Sequence, residues 1–128
     1  MVNEAKTEGI VRKILEKHKE KFEEQEGNSV IIDEKSSDNP IISKLLKTAS
    51  KKGDGAGYPE FIINFPNKEL LIVIECKADT KKHKSRNLDK YSEYAVDGAL
   101  LYSSYLSKEF NVISIGASWE NHQEFLID

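Results

Sequence analysis

This 128-residue sequence predicts an α/β fold, a mixed central sheet covered by helices. Three observations carry that expectation. An amphipathic helical stripe opens the chain. Two adjoining strand segments are apolar at nearly every position, a pattern that arises when both faces of a sheet are covered. A long helical segment with small residues then leads into another apolar strand, so the order helix, strands, helix, strand points to an α/β sandwich.

The elements follow in chain order. From Asn3 to Glu24, the residues Glu4, Glu8, Val11, Leu15, His18 and Phe22 recur at three- and four-residue spacing, the period of one helix face. Gly27-Asn28 stops that helix. Val30-Ile31-Ile32 is a short strand. Asp38-Asn39-Pro40 reads as a helix start with proline in the first turn, and Ile41, Ile42, Leu45 and Leu46 form its apolar side. Gly53 to Gly57 form a loop that permits close backbone approach. Glu60 to Phe65 and Leu70 to Glu75 are the two apolar strands, joined by Pro66-Asn67-Lys68-Glu69. A helix is expected from Asn87 to Leu106, where Ala95, Gly98 and Ala99 allow close packing on the sheet. Asn111 to Ala117 is the next strand, and Trp119 to Leu126 reads as a last short helix.

Composition bounds the rest. Apolar residues make up 38% and charged residues 32%, which suits one domain, residues 1–128, with a modest core. No repeat, low-complexity tract or linker divides it. No apolar run reaches the ~20 residues of a membrane span, and the N-terminus lacks a secretion signal. A single cysteine, Cys76, excludes an internal disulfide, so the expectation is a cytoplasmic protein. The net charge of −3 argues against a general affinity for nucleic acid. The lysines cluster, however, at Lys44, Lys47, Lys51 and Lys52, and again at Lys77, Lys81, Lys82, Lys84, Arg86 and Lys90. The acids gather at Glu16, Glu20, Glu23, Glu24 and Glu26. Either the molecule is polarised and grips phosphates on one side, or these are ordinary solvated faces.

The chemistry lies in the hairpin. A turn centred between Asn67 and Lys68 sets Phe65 against Leu70, Ile62 against Val73 and Glu60 against Glu75. Directly opposed residues share a side of the sheet, with Cβ atoms roughly 4.5–5.5 Å apart. Lys77, two residues on, shares that side, and Cys76 points to the other. Carboxylates brought so close repel each other, and burial worsens it. A divalent cation answers the problem. Hard oxygen donors in small number suit Mg²⁺, with Mn²⁺ as a substitute. A cation there would activate water and neutralise charge on a phosphate, and Lys77 would orient or deprotonate the water or hold the phosphate. The competing reading is a salt bridge between Lys77 and Glu60 or Glu75.

Tyr58-Pro59-Glu60-Phe61 followed by Ile74-Glu75-Cys76-Lys77 resembles the signature of the PD-(D/E)xK nuclease superfamily. The wider pattern resembles the N-terminal nuclease domains of type I and single-polypeptide (ISP-like) restriction enzymes. It runs from Ser50-Lys51-Lys52-Gly53 through Pro59 to Ile63, then Ile72 to Ala78 and Tyr94 to Ala99, and covers roughly Glu4 to Ala117. The resemblance implies a restriction-endonuclease-like three-layer sandwich with an αβββαβ core. It implies that Glu60 and Glu75 bind Mg²⁺, that Lys77 serves the attacking water, and that the backbone carbonyl of Cys76 adds a ligand. It also implies an acid from the first helix. Glu8 is the candidate because it continues the apolar stripe, against the alternative of simple placement at a positive helix N-terminus; Glu4, one turn earlier, is the weaker choice. Glu60 stands where the motif has aspartate, which puts the metal geometry in question.

Other residues have blander readings. His83, among lysines, reads as solvated or phosphate-contacting. His18 reads as packing, Tyr94 as core packing and Trp119 as a core or interface anchor, while Tyr91 is left open. His122 has no partner at ligand spacing. Lys51 and Lys52, with Lys81, Lys82 and Lys84, are candidate DNA contacts. No His/Cys cluster suggests zinc, and the glycines do not form a nucleotide-binding loop. The leading expectation is a Mg²⁺-dependent endonuclease domain for double-stranded DNA, leaving 3′ hydroxyl and 5′ phosphate ends. It is expected to be a fragment of a larger restriction-modification polypeptide with translocase or methyltransferase regions, with chains pairing during double-strand cleavage. The competing readings are a non-catalytic nucleic-acid-binding or assembly module, and a nuclease for RNA or branched DNA.

Overall fold

The computed structural model describes residues 4–120 and 124–127, with side chains through residue 118. Helix α1 (Glu4–Glu26) is followed by β1 (Ile31–Glu34), α2 (Pro40–Leu45), β2 (Phe61–Phe65), β3 (Leu70–Lys77), α3 (Ala95–Leu106), β4 (Asn111–Glu120) and β5 (Glu124–Ile127). The strands form one five-stranded sheet in the order β1-β2-β3-β4-β5. The β3–β4 pair is parallel and the other pairs are antiparallel, so the sheet is mixed. The fold is α/β. The expected order αβββαβ runs through α1, β1, β2, β3, α3 and β4, with α2 between β1 and β2 and β5 added at the end.

The apolar strands are covered on both faces, as their composition predicts. Every residue of β2 is buried. On one face Phe61, Ile63, Phe65, Ile74, Cys76 and Ala117 pack with Val11 and Leu15 of α1. On the other, Ile62, Leu71 and Val73 pack with Ile42, Leu46 and Ala49 from α2 and the segment after it, and with Tyr102 and Leu106 of α3. Burying side chains of this size stabilises the fold by roughly 1.5–3 kcal/mol each. Asn39 caps α2 by accepting hydrogen bonds from the Ile41 and Ile42 amides at 2.9 and 3.2 Å. Gly27 (φ +72°) ends α1 in the left-handed conformation. Gly57 marks a close approach: a Cβ there would stand 2.6 Å from the Ala49 carbonyl oxygen.

Three expectations are corrected. The helix expected from Asn87 begins only at Ala95, because the buried Asp97 draws the preceding segment back on itself. Its carboxylate accepts from the Ser85 amide (3.1 Å), the Lys90 amide (2.9 Å) and the Ser85 hydroxyl. The helix expected over Trp119 to Leu126 is replaced by the end of β4 and by β5; backbone pairing at the sheet edge satisfies the groups a short helix would leave open. His83 is buried, not solvated: its Nδ1 lies 2.9 Å from Ser118 Oγ, beneath β4. His18, by contrast, is exposed and only leans on Phe22, with ring centroids 6.3 Å apart. Tyr94 is half-buried and its ring carries Lys82 Nζ 5.1 Å from the centroid. The Trp119 side chain and His122 lie outside the described residues.

Candidate functional site

The hairpin register is the one read from the sequence: Phe65 opposes Leu70, Ile62 opposes Val73 and Phe61 opposes Ile74. The turn is the 3₁₀ segment Pro66–Lys68, closed by Glu69 in the left-handed region (φ +50°). One step beyond Phe61, the Glu60 amide donates to Glu75 Oε2 at 2.8 Å. The Glu75 carboxylate therefore lies against the Glu60 main chain near the end of β3. Cys76 points to the α1 face of the sheet and Glu75 to the α3 face, as alternation requires.

The end of α1 is fastened to the same place. Thr7, fully buried, donates its hydroxyl to the Lys77 carbonyl at 2.8 Å. That bond sets the adjoining turns of α1 over the strand end. Glu4, Glu8 and Glu60 each offer a carboxylate oxygen, and the three atoms lie within 4.8 Å of one another. Lys35 answers part of this charge. It follows β1 in the left-handed region (φ +60°), its amide bonds the Pro59 and Glu60 carbonyls, and its Nζ reaches Glu8 at 3.0 Å and Glu60 at 3.6 Å. A non-glycine residue held at positive φ stores backbone strain, a feature that clusters at functional sites.

Glu75 is 1% exposed and pairs with Lys51 Nζ. Lys51 arrives from the loop before β2, which Gly53 and Gly55 at φ +83° and +91° fold back through the Gly53 amide to Ser50 carbonyl bond. Gly98 of α3 leaves the room: a Cβ there would lie 3.2 Å from Lys51 Cε and 3.5 Å from Glu75 Cγ. Lys77 is turned elsewhere. Its Nζ donates to the Ser92 carbonyl at 2.7 Å and stands 3.7 Å from Glu4. The salt bridge anticipated between Lys77 and Glu60 or Glu75 is thus made to Glu4, while Lys51 takes Glu75. Lys52, Lys81, Lys82 and Lys84 are exposed and lie outside this cluster.

The electrostatics follow from the crowding. Burial first, then the charges of Glu75, Glu8 and Glu4, pushes Glu60 up to about 8, with Lys35 pulling the other way. Burial also raises Glu75 above the ordinary carboxylate range against the opposing pull of Lys51. Burial works against the charge of Lys51, yet Glu75 outweighs it and holds the ammonium above the usual lysine value. Burial drives the Cys76 thiol far up, so its sulfur is inert. The donor set fits a hard divalent cation. Glu60 Oε2 is buried and accepts no hydrogen bond, and carboxylate oxygens of Glu4 and Glu8 converge with one of Glu60. Sequence reasoning missed Lys35, Thr7 and the place of Lys51 beside Glu75. The signal for Thr7 was its position on α1 one residue before Glu8; Lys51 carried none beyond the glycine loop that follows it.

No family model matches the chain, and no solved structure matches it. The chain is similar to the type II restriction enzyme and methyltransferase RM.BcgI of Heyndrickxia coagulans, with 33% identity over 131 aligned residues. That alignment covers 91% of this chain and 19% of the relative, so the chain spans about a fifth of the curated protein it matches. The similarity links the chain to restriction systems.

Proposed function

We propose that this chain is a divalent-cation-dependent endonuclease domain of a restriction-modification enzyme, with a restriction-endonuclease-like fold, that hydrolyses DNA phosphodiester bonds. The observation that carries the reading is the gathering of Glu4, Glu8 and Glu60 carboxylates next to the point where Glu75 accepts from the Glu60 amide, with Lys77, two residues past Glu75 on β3, reaching Glu4. Glu60 and Glu75, joined by Glu8 and Glu4 from α1 and by the Cys76 carbonyl, would hold Mg²⁺ or Mn²⁺. When bound, the cation supplies Lewis-acid activation of water and neutralises charge at phosphorus. Lys77 holds the attacking water or a phosphate oxygen. Exposed Lys52, Lys81, Lys82 and Lys84 contact the DNA backbone, and Lys82 is steadied on the Tyr94 ring. The similarity to one part of a restriction enzyme and methyltransferase supports methyltransferase regions as partners; translocase regions, and a second chain for double-strand cleavage, complete the proposal.

The test is cleavage of supercoiled plasmid. With Mg²⁺ the parent should produce nicked and linear DNA, EDTA should stop it, and Lys77→Ala should lower the rate by about 10²–10⁴-fold, the span of general acid–base contributions. Equal cleavage by parent and variant would reject the assignment of Lys77. One observation favours a second reading, a DNA-binding module without cleavage: Lys35 and Lys51 already offset the acids without a metal. It requires salt-sensitive DNA retention with no metal-dependent cutting.

A further inference from the structure

We propose that Lys51 is the resident counter-ion of Glu75 and that a divalent cation entering the site takes its place, releasing its ammonium to the substrate side. The inference rests on reading Glu60 and Glu75 as cation ligands.

Glu75 is almost wholly enclosed, and an enclosed carboxylate must be neutralised by a partner. One of its oxygens takes the Glu60 amide. The other is left to Lys51, a lysine from outside the sheet. Lys77, on the same strand as Glu75, is bound to the Ser92 carbonyl instead. The pair is built to separate. Lys51 is a flexible side chain on a loop, 19% exposed, and it borders a solvent-open hollow walled by Ser50, Lys52, Tyr58, Ser92 and Tyr102. Its Nζ already lies 5.7 Å from the ring centroid of Tyr102, which lines the same hollow. With two positive charges, a cation bridging Glu60 and Glu75 removes the electrostatic reason for Lys51 to stay. Beside Lys52, the freed ammonium would add a second positive charge to a hollow suited to a phosphate.

The alternative is a cation held by Glu4, Glu8 and Glu60 alone, whose oxygens already converge, with the Lys51–Glu75 pair left intact. The two differ in one measurable respect. If Lys51 competes with the cation, removing its charge should tighten cation binding. A lysine that merely supports the fold would loosen binding when lost.

The experiment titrates Mn²⁺ into the parent, Lys51→Met and Lys51→Gln, reading free Mn²⁺ by electron paramagnetic resonance. Deleting a positive charge a few ångströms from the ion should lower the Mn²⁺ Kd by about tenfold or more. Should Lys51→Met not fold, Lys51→Gln keeps an amide donor to Glu75 without the charge and carries the test. Parent binding with equal or weaker binding by the variants overturns the exchange and leaves the cation site standing. If the parent binds Mn²⁺ no better than Glu75→Gln, Glu75 is not a ligand and the exchange is overturned while a cation at Glu4, Glu8 and Glu60 stands; if the parent binds none, the cation site fails and the exchange with it.

Discussion

Glu60→Gln should stabilise the cation-free protein near and above neutral pH. The folded chain holds the Glu60 proton up to about pH 8, against an ordinary value of 4.5. Because the folded value lies above the unfolded one, the associated stability is complete below pH 4.5 and is lost as pH rises toward 8. At pH 7 the part of this separation between 4.5 and 7 would correspond to about 3 kcal/mol, at about 1.4 kcal/mol per pH unit. Glu60 lies beside the solvent-exposed Lys35, and allowing for screening there leaves about 1–2 kcal/mol. Glutamine cannot ionise and avoids this loss. The assay is thermal unfolding by circular dichroism in EDTA at pH 5, 7 and 8.5. The parent melting temperature should fall across the series, the variant curve should be flatter, and the variant should melt about 5 °C higher at pH 8.5. Parallel curves for the two proteins would refute the electrostatic reasoning.

Two further substitutions probe the scaffold. Asp97→Ala strips acceptors from the Ser85 and Lys90 amides, which should cost about 2–4 kcal/mol in urea unfolding and expose residues 84–94 to limited proteolysis; unchanged proteolysis would show that the segment is held by other contacts. Gly57→Ala drives a Cβ to 2.6 Å from the Ala49 carbonyl and 2.5 Å from Tyr102 Cε1, and should destabilise by about 1–3 kcal/mol, checked by the urea midpoint.

The sheet was legible because its signals are local. Strands apolar at nearly every position announced two covered faces, and the four residues from Pro66 to Glu69 left one register, with Phe65 against Leu70 and Ile62 against Val73. The helix start at Asp38-Asn39-Pro40 and the stop at Gly27 were equally plain, since each depends on a local residue or backbone angle. What escaped depends on contacts between distant segments. Lys51 and Glu75 are separated by a loop and a hairpin, and no spacing rule joins them. Lys35 carries no sequence signal; its left-handed backbone turns it toward Glu8. His83 was read from its lysine neighbours, but burial there is set by Ser118 on β4. The helix was expected from Asn87, yet the Ser85 and Lys90 amides donate to the Asp97 carboxylate and hold the segment out of the helix.

The most direct examination of the shared-cation claim is a crystal grown with Mn²⁺, with data collected at the manganese absorption edge. The expected result is one strong anomalous peak within about 2.0–2.3 Å of carboxylate oxygens from both Glu60 and Glu75. A peak that touches neither residue, or no peak at millimolar Mn²⁺, would contradict it.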